Sequence, residues 1–336
     1  MERPADWFDS NSDYPPNDRE ISDPERFPHP HVDNCSRIST NVLHNGRVVL
    51  ADNVIIPTRD TMKSARQASS RSKFSIDEDE YSSDDSDADL DMVDDPAPTK
   101  AYWFRRQLRE AIFGTVWYAV LLIPSTSSND ADWEATNQAC AIKEMDYAQI
   151  LEMRGSAENP MTEVAAMQYG QEYLAQLLVR QAQEEGGGTM NPVEWTQRAT
   201  NQVLASHVML PLDVLTDTRQ LYLVMPFIPG GELFDVLQDR NSFTQEEARS
   251  YLLQMLEGIE FLQRAGICHR DLSLENLLTD AEQRVVVIDF GMCLKIPYLK
   301  NDRGGSFDHR ERDRCLMTHQ GSVGKVRMNM PIHEYT

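Results

Sequence analysis

The chain of 336 residues has five cysteines and no C-x-x-C pair. That argues against a zinc ribbon or a disulfide-stapled scaffold, both of which need paired cysteines. No run approaches the ~18 apolar residues of a membrane-crossing helix. The opening MERPADWFDS lacks the basic start and apolar stretch of a secretory signal. Basic charge is scarce: 32 Lys and Arg stand against 54 Asp and Glu, for a net charge of −22 and a pI near 4.7. Such a field repels nucleic acid and anionic membranes, so neither is expected as a partner. Unpaired cysteines without a leader suit the cytoplasm or nucleus.

The length suggests about two domains at ~100–200 residues each. Residues 1–100 hold 22 acids and 11 bases, and the remaining 236 residues hold 32 acids and 21 bases. Both parts are net −11, so the first carries more than twice the net negative charge per residue. Asp77 to Asp95 alone carries 11 acids, interleaved with Ser82, Ser83 and Ser86. Like charges at that density repel and extend the chain. Ser75, Ser82 and Ser86 each have an acid three residues later, which suits acid-directed phosphorylation; a solvated linker is the simpler reading. Residues 42–57 could form a small hairpin, but too little apolar sequence surrounds them to offset chain entropy. Residues 1–98 are therefore expected to be a disordered acidic region.

Order is expected near Tyr102. Residues 102–123 are rich in aromatic and β-branched types, as strands are. A polar loop, Ser125 to Thr136, leads to a strand ending at Ala141 to Met145, completing a β-meander. Asn159 can cap a following helix with Pro160 at its first position. Val164, Met167, Leu174 and Leu178 give that helix an apolar stripe. EEGGGTMNP (184–192) breaks it and opens an insertion reaching about Thr200. Strands follow near Met209–Leu215 and Leu221–Met225, then a short helix in ELFDVL. Thr244 and Glu247 form a capping box for a long helix with core positions Tyr251, Leu252, Met255, Leu256, Ile259 and Leu262, ending near Gly266. Strands at Asn276–Leu278 and Val285–Ile288 flank a turn. The class is α+β in two lobes.

Four elements then stand in fixed order: Phe113-Gly114-Thr115-Val116, Ala141-Ile142-Lys143, Cys268-His269-Arg270-Asp271-Leu272-Ser273-Leu274-Glu275-Asn276, and Ile288-Asp289-Phe290-Gly291. This resembles the eukaryotic protein kinase family, with its VAIK, HRDLxxxN and DFG signatures. The resemblance covers roughly residues 101–332 and is Ser/Thr-type. It implies a two-lobe kinase-like domain over 101–336, with an N-lobe over 101–228 and a partial C-lobe over 229–336. It also implies ATP and Mg²⁺ as cofactors and a protein substrate.

The residue types suit phosphoryl transfer, where the protein chiefly positions and neutralises charge. By resemblance, Lys143 meets the α/β-phosphates and Glu163, 20 residues on, fixes it. Glu144 is the local competitor, but adjacent strand residues point to opposite faces. Asp271 takes or orients the hydroxyl proton, with Arg270 available to a phosphorylated segment. Asn276 and Asp289 are hard oxygen ligands of the kind Mg²⁺ prefers. His269 is expected to pack as a structural residue. Gly114 closes the phosphate-covering loop. Val116 and Ala141 line the adenine from above and Leu278 from below, with Met225 behind it and Phe227 at the hinge.

The pattern is incomplete. The family's three loop glycines fall on Arg109, Ala111 and Gly114, so weaker nucleotide binding is expected. Ser273 replaces a lysine common in Ser/Thr kinases, leaving Ser/Thr against Tyr specificity open; Lys325 is one candidate substitute. Ser306, Thr318 and Ser322 are candidate phosphosites near a basic cluster at 309–314. The segment 324–332 resembles the run into the family's APE motif, and the family's later helices do not follow it. A C-lobe truncation is thus expected, with an exposed face on the long helix and a partner to cover it. Two other readings stand beside an active kinase: a non-catalytic kinase-like module that binds nucleotide or another kinase, and a small-molecule phosphotransferase.

Overall fold

The first ordered element is a hairpin, β1 (Asp33–His44) and β2 (Arg47–Thr58). The computed structural model describes residues 27–58, 97–126, 131–152, 158–181 and 191–296. The expected disorder over 1–98 is corrected for 33–58. Asn45 and Gly46 form its two-residue turn, both at positive φ (51° and 73°). That is the geometry asparagine and glycine tolerate best, and it matches strand twist. What the local sequence lacks in apolar area the rest of the sheet supplies. Val42, Ala51, Val54 and Ile55 are no more than 1% exposed. They pack in clusters with Tyr102, Trp103, Leu121, Leu122 and Trp133. The serines at 75, 82 and 86 lie outside the described residues.

The meander follows as β3 (Ala101–Ala111), β4 (Gly114–Pro124) and β5 (Trp133–Asp146). After a short α1 (Tyr147–Glu152) comes α2 (Pro160–Gln181). Asn159 caps α2, its Oδ1 accepting from the Met161 amide at 2.9 Å. The stretch to Thr200 is not all loop: α3 (Pro192–Ser206) occupies it. Asn191 caps α3 through the Glu194 amide, and Pro192 sits at its first position. β6 (Asp213–Thr216) and β7 (Gln220–Pro226) complete the sheet. The strand expected from Met209 starts later, because the Met209 amide is spent on the Val287 carbonyl.

These seven strands close into a barrel in the order β1-β2-β3-β4-β5-β7-β6, with β1 returning parallel to β6 through Asp33↔Leu215. The helical lobe holds α4 (Leu233–Arg240) and α5 (Gln245–Ala265). Thr244 and Glu247 form the capping box, and Gly266 ends α5 at φ 78°. Small ribbons pair β8 (Ile267–Cys268) with β11 (Leu294–Lys295) and β9 (Leu277–Thr279) with β10 (Val285–Val287). The α+β two-lobe expectation holds. On α5, Tyr251 and Leu262 are buried as expected, whereas Leu252 and Leu256 are exposed by 42% and 50% among the described residues. No described helix is long and apolar enough to cross a membrane.

On the face of β5 turned from Lys143, Arg37 of β1 donates to Glu144 Oε1, and Trp117 Nε1 donates to Glu144 Oε2 at 2.7 Å. The guanidinium also lies 5.0 Å from the Phe104 ring centroid. Glu144 is only 13% exposed, so losing its partner leaves a poorly solvated charge. We expect Arg37→Met to lower stability by about 1–3 kcal/mol, below the fully buried limit because Trp117 and some solvent still serve Glu144. The double variant Arg37→Met with Glu144→Gln should recover part of the loss, read from urea unfolding midpoints.

Candidate active site

Strand register builds the roof of the cleft. Residues directly opposite in an antiparallel pair share a face. Arg109 pairs Val116, Val116 pairs Lys143, Tyr118 pairs Ala141, and Ala141 pairs Met225. One surface of β3, β4, β5 and β7 therefore presents Arg109, Val116, Ala141, Lys143 and Met225. Phe227, just past β7, sets its ring edge-on to Tyr118 at 4.9 Å. Leu278 lies on β9, bridged to Glu232 at the start of α4, so it belongs to the opposite wall.

Glu163 stands in the first turn of α2. Its Oε2 accepts from Lys143 Nζ at 2.6 Å, with the two side chains 7% and 16% exposed. Burial alone would depress the lysine, but the Glu163 carboxylate and its hydrogen bond, with Asp289 adding, push its pKa up. The ammonium is therefore held charged, facing a carboxylate from each lobe.

The floor is made by two short segments. His269 Nε2 lies 3.0 Å from the Ile288 carbonyl, and its ring packs edge-on to Phe290 at 5.1 Å. The Asp271 amide donates to His269 Nδ1 at 3.3 Å. The imidazole thus ties one segment to the other and is structural, as expected. Asn276 Nδ2 donates to the Asp271 carbonyl at 2.8 Å and to Asp271 Oδ2 at 2.9 Å. Its NH₂ is committed to Asp271, and its carbonyl oxygen remains as a hard ligand atom. Asp289 Oδ1 accepts from the Gly291 amide at 3.2 Å. Arg270 and Asp289 adopt left-handed φ values of 70° and 66°, a strained geometry that concentrates at functional positions.

Lys143, Glu163, Asp271, Asn276 and Asp289 are thereby gathered around one cleft. The loop expected to cover phosphate is a two-residue turn, Ile112-Phe113, between paired Ala111 and Gly114. Gly114 has a role in the sheet itself: a Cβ there would lie 2.0 Å from the Glu144 carbonyl oxygen. Arg109 forms an ion pair with Glu232, spanning the cleft. Glu232 was not foreseen, nor was Glu158, whose pKa is raised by burial and by Asp289 beside it. No spacing rule marks either; both are placed by the closure of the two walls. The candidate phosphosites, the basic cluster, Lys325 and residues 324–332 lie outside the described residues. A cavity of about 620 Å³ between Ile123, Pro124, Pro192 and Val193 is apolar and holds none of the candidate groups.

Residues 189–310 match the protein kinase domain family. The chain is 38% identical over 89 residues to the maternal embryonic leucine zipper kinase of Xenopus laevis, covering 26% of this chain and 14% of that protein. It is 41% identical over 87 residues to the mitosis inducer protein kinase cdr2 of Schizosaccharomyces pombe, covering 26% and 11%. It is 42% identical over 81 residues to the human hormonally up-regulated neu tumor-associated kinase, covering 24% and 11%. The matched stretch spans only about a tenth to a seventh of those relatives. Within residues 189–310 the chain carries a match to the protein kinase domain. The kinase match begins within the insertion and runs past Asp289, so it takes in Asp271, Asn276 and Asp289, whereas Lys143 and Glu163 precede it.

Burial lowers the His269 pKa below its ordinary 6.5, outweighing the Ile288 hydrogen bond and the neighbouring aspartates. The unfolded chain protonates this ring first, so below pH about 6.5 the unfolded state binds the extra proton and stability falls. We expect thermal midpoints of the protein to drop between pH 7 and 5, with a smaller drop in His269→Asn.

Proposed function

We propose that this chain is an ATP-dependent protein kinase that transfers the γ-phosphoryl group to Ser or Thr hydroxyls of a protein substrate with Mg²⁺. One observation carries the reading: the buried Lys143–Glu163 pair from the β-rich lobe faces Asp271, Asn276 and Asp289 from the other. Lys143 supplies positive charge to the phosphates, and Glu163 holds its long side chain in one rotamer. Asp271, oriented by Asn276, receives the hydroxyl proton. The group fits magnesium: Asn276 and Asp289 offer two hard oxygens, and Mg²⁺ characteristically takes few protein ligands and completes its shell with phosphate and water. When bound, the ion neutralises charge on the phosphates. Val116, Ala141, Met225 and Leu278 suit an adenine ring between the walls, with the lobes dividing near Ile228.

A second reading is favoured by the Arg109–Glu232 pair and the single remaining loop glycine: a kinase-like module that holds nucleotide without turnover. Arg109 stands where backbone amides would otherwise approach phosphate. Phosphate transfer from Mg·ATP to a generic acceptor protein, or to the chain itself, separates the readings. Asp271→Asn and Asp289→Ala should each slow turnover by about 10²–10⁴-fold. Asp271→Asn should retain nucleotide-induced thermal stabilisation. Equal rates in all three proteins would sink the catalytic reading, and stabilisation without turnover in the wild type would establish the second.

A further inference from the structure

Helix α2 is covered on every side near Glu163. Residues 163–167 are five consecutive buried positions, all at most 6% exposed. At 100° per residue they sweep more than a full turn, unlike a surface helix with one apolar stripe. Part of the cover comes from the core, through Val164, Ala166 and Met167. More is laid along the helix by the segment preceding β1. The Gln168 side chain grips the backbone of His31 twice: Nε2 donates to its carbonyl at 2.6 Å, and Oε1 accepts from its amide at 2.7 Å. Phe27 sets its ring edge-on to Tyr169 at 5.6 Å. Phe27 and Val32 both pack on the main core.

The contacts close a circuit. Residue 33 begins β1, which pairs with β6; β6 pairs with β7, and β7 pairs with β5 at Lys143. The segment 27–32 is thus referenced to the same sheet that carries Lys143, while it grips the helix that carries Glu163. Tyr169 also receives Lys295, whose Nζ lies 5.2 Å from the ring centroid. The segment after Asp289 makes a further contact with the same helix, the Asn159 amide donating to the Gly291 carbonyl at 3.0 Å. Glu163 is in the first turn of α2, where a helix is least held by its own hydrogen bonds. Its position therefore depends on what is packed around it.

We propose that residues 27–32 are a strap that holds α2 where Glu163 meets Lys143, making Phe27 and Gln168 positioning residues of the nucleotide site. The strap sets the ion pair from within the chain. Only the activity arm of its test rests on the phosphoryl-transfer reading.

The experiment uses the full chain as wild type, Phe27→Ala, Gln168→Ala and Phe27→Tyr, which keeps the ring. Hydrogen exchange is followed by mass spectrometry. Phe27→Ala and Gln168→Ala should each speed exchange of the amides of residues 161–168 by about tenfold while sparing the β9–β10 ribbon. Phe27→Tyr should stay close to wild type. In Mg·ATP turnover, both alanine variants should lower kcat by about tenfold with a smaller change in KM. Neither should lower it further in a Glu163→Gln background, because the strap acts through Glu163. Unchanged exchange over 161–168 in both alanine variants overturns the proposal. So does an equal kcat loss with and without Glu163. A wild type without turnover counts against the kinase reading alone, and the exchange result then decides the strap.

Discussion

The buried contact between Lys143 and Glu163 is the constraint around which both lobes are arranged. Neither charge is stable there alone. Burial penalises the ammonium, and only the facing carboxylate, helped by Asp289, reverses the penalty. The pair exists only while β5 and α2 keep their spacing. Much of the β-rich lobe can be understood as the means of keeping it. The sheet fixes Lys143 through register with Val116 on one side and Leu223 on the other. Helix α2 is fixed by its Asn159 cap, by core contacts on one side and by the 27–32 segment on the other.

Closing the sheet into a barrel has a related consequence. Cys140 and Ile142 alternate with Ala141 and Lys143, so β5 needs apolar cover on the face away from the cleft. The β1–β2 hairpin supplies it with Cys35 and Ile55, and α3 adds Val193 and Trp195. Lys100 ties α3 to β6, bonding Asp213 at 2.8 Å and lying 4.8 Å from the Trp195 ring centroid. The Arg37–Glu144 pair places a charge on each side of β5 at adjacent residues, each matched by its own partner. The alternation of a strand is what allows Lys143 and Glu144 to serve two separate networks.

Most residues that the structure brings to the cleft were marked in the sequence, because they stand in contiguous runs. His269 to Asn276 and Ile288 to Gly291 keep fixed spacing, and their internal bonds are local in sequence: Asn276 reaches Asp271 five residues away. Helix caps at Asn159 and Thr244 were legible for the same reason. The hairpin at 33–58 was misjudged although its Asn45-Gly46 turn is a strong local signal. Its stability comes from residues 50 to 180 positions away, such as Trp103 and Leu215, which no local window weighs. The exposure of Leu252 and Leu256 agrees with the uncovered face expected on the long helix, but which of its apolar positions would be buried, as Tyr251 and Leu262 are, was not legible. Helical periodicity marks an apolar face without saying how much of it is covered.

By itself the sequence determined the candidate groups around the cleft, the kinase-like motifs that carry them, and the main strands and helices from β3 onward. These follow from short-range spacing and the chemistry of side chains, which do not depend on distant packing. Tertiary structure decided the rest: that β1 closes the barrel on β6, that Glu144 answers to Arg37, that Arg109 meets Glu232 across the cleft, and that residues 27–32 lie on α2. Each of these joins residues far apart in the chain. Such contacts form only when burial of apolar surface brings their elements together, and that depends on the whole fold.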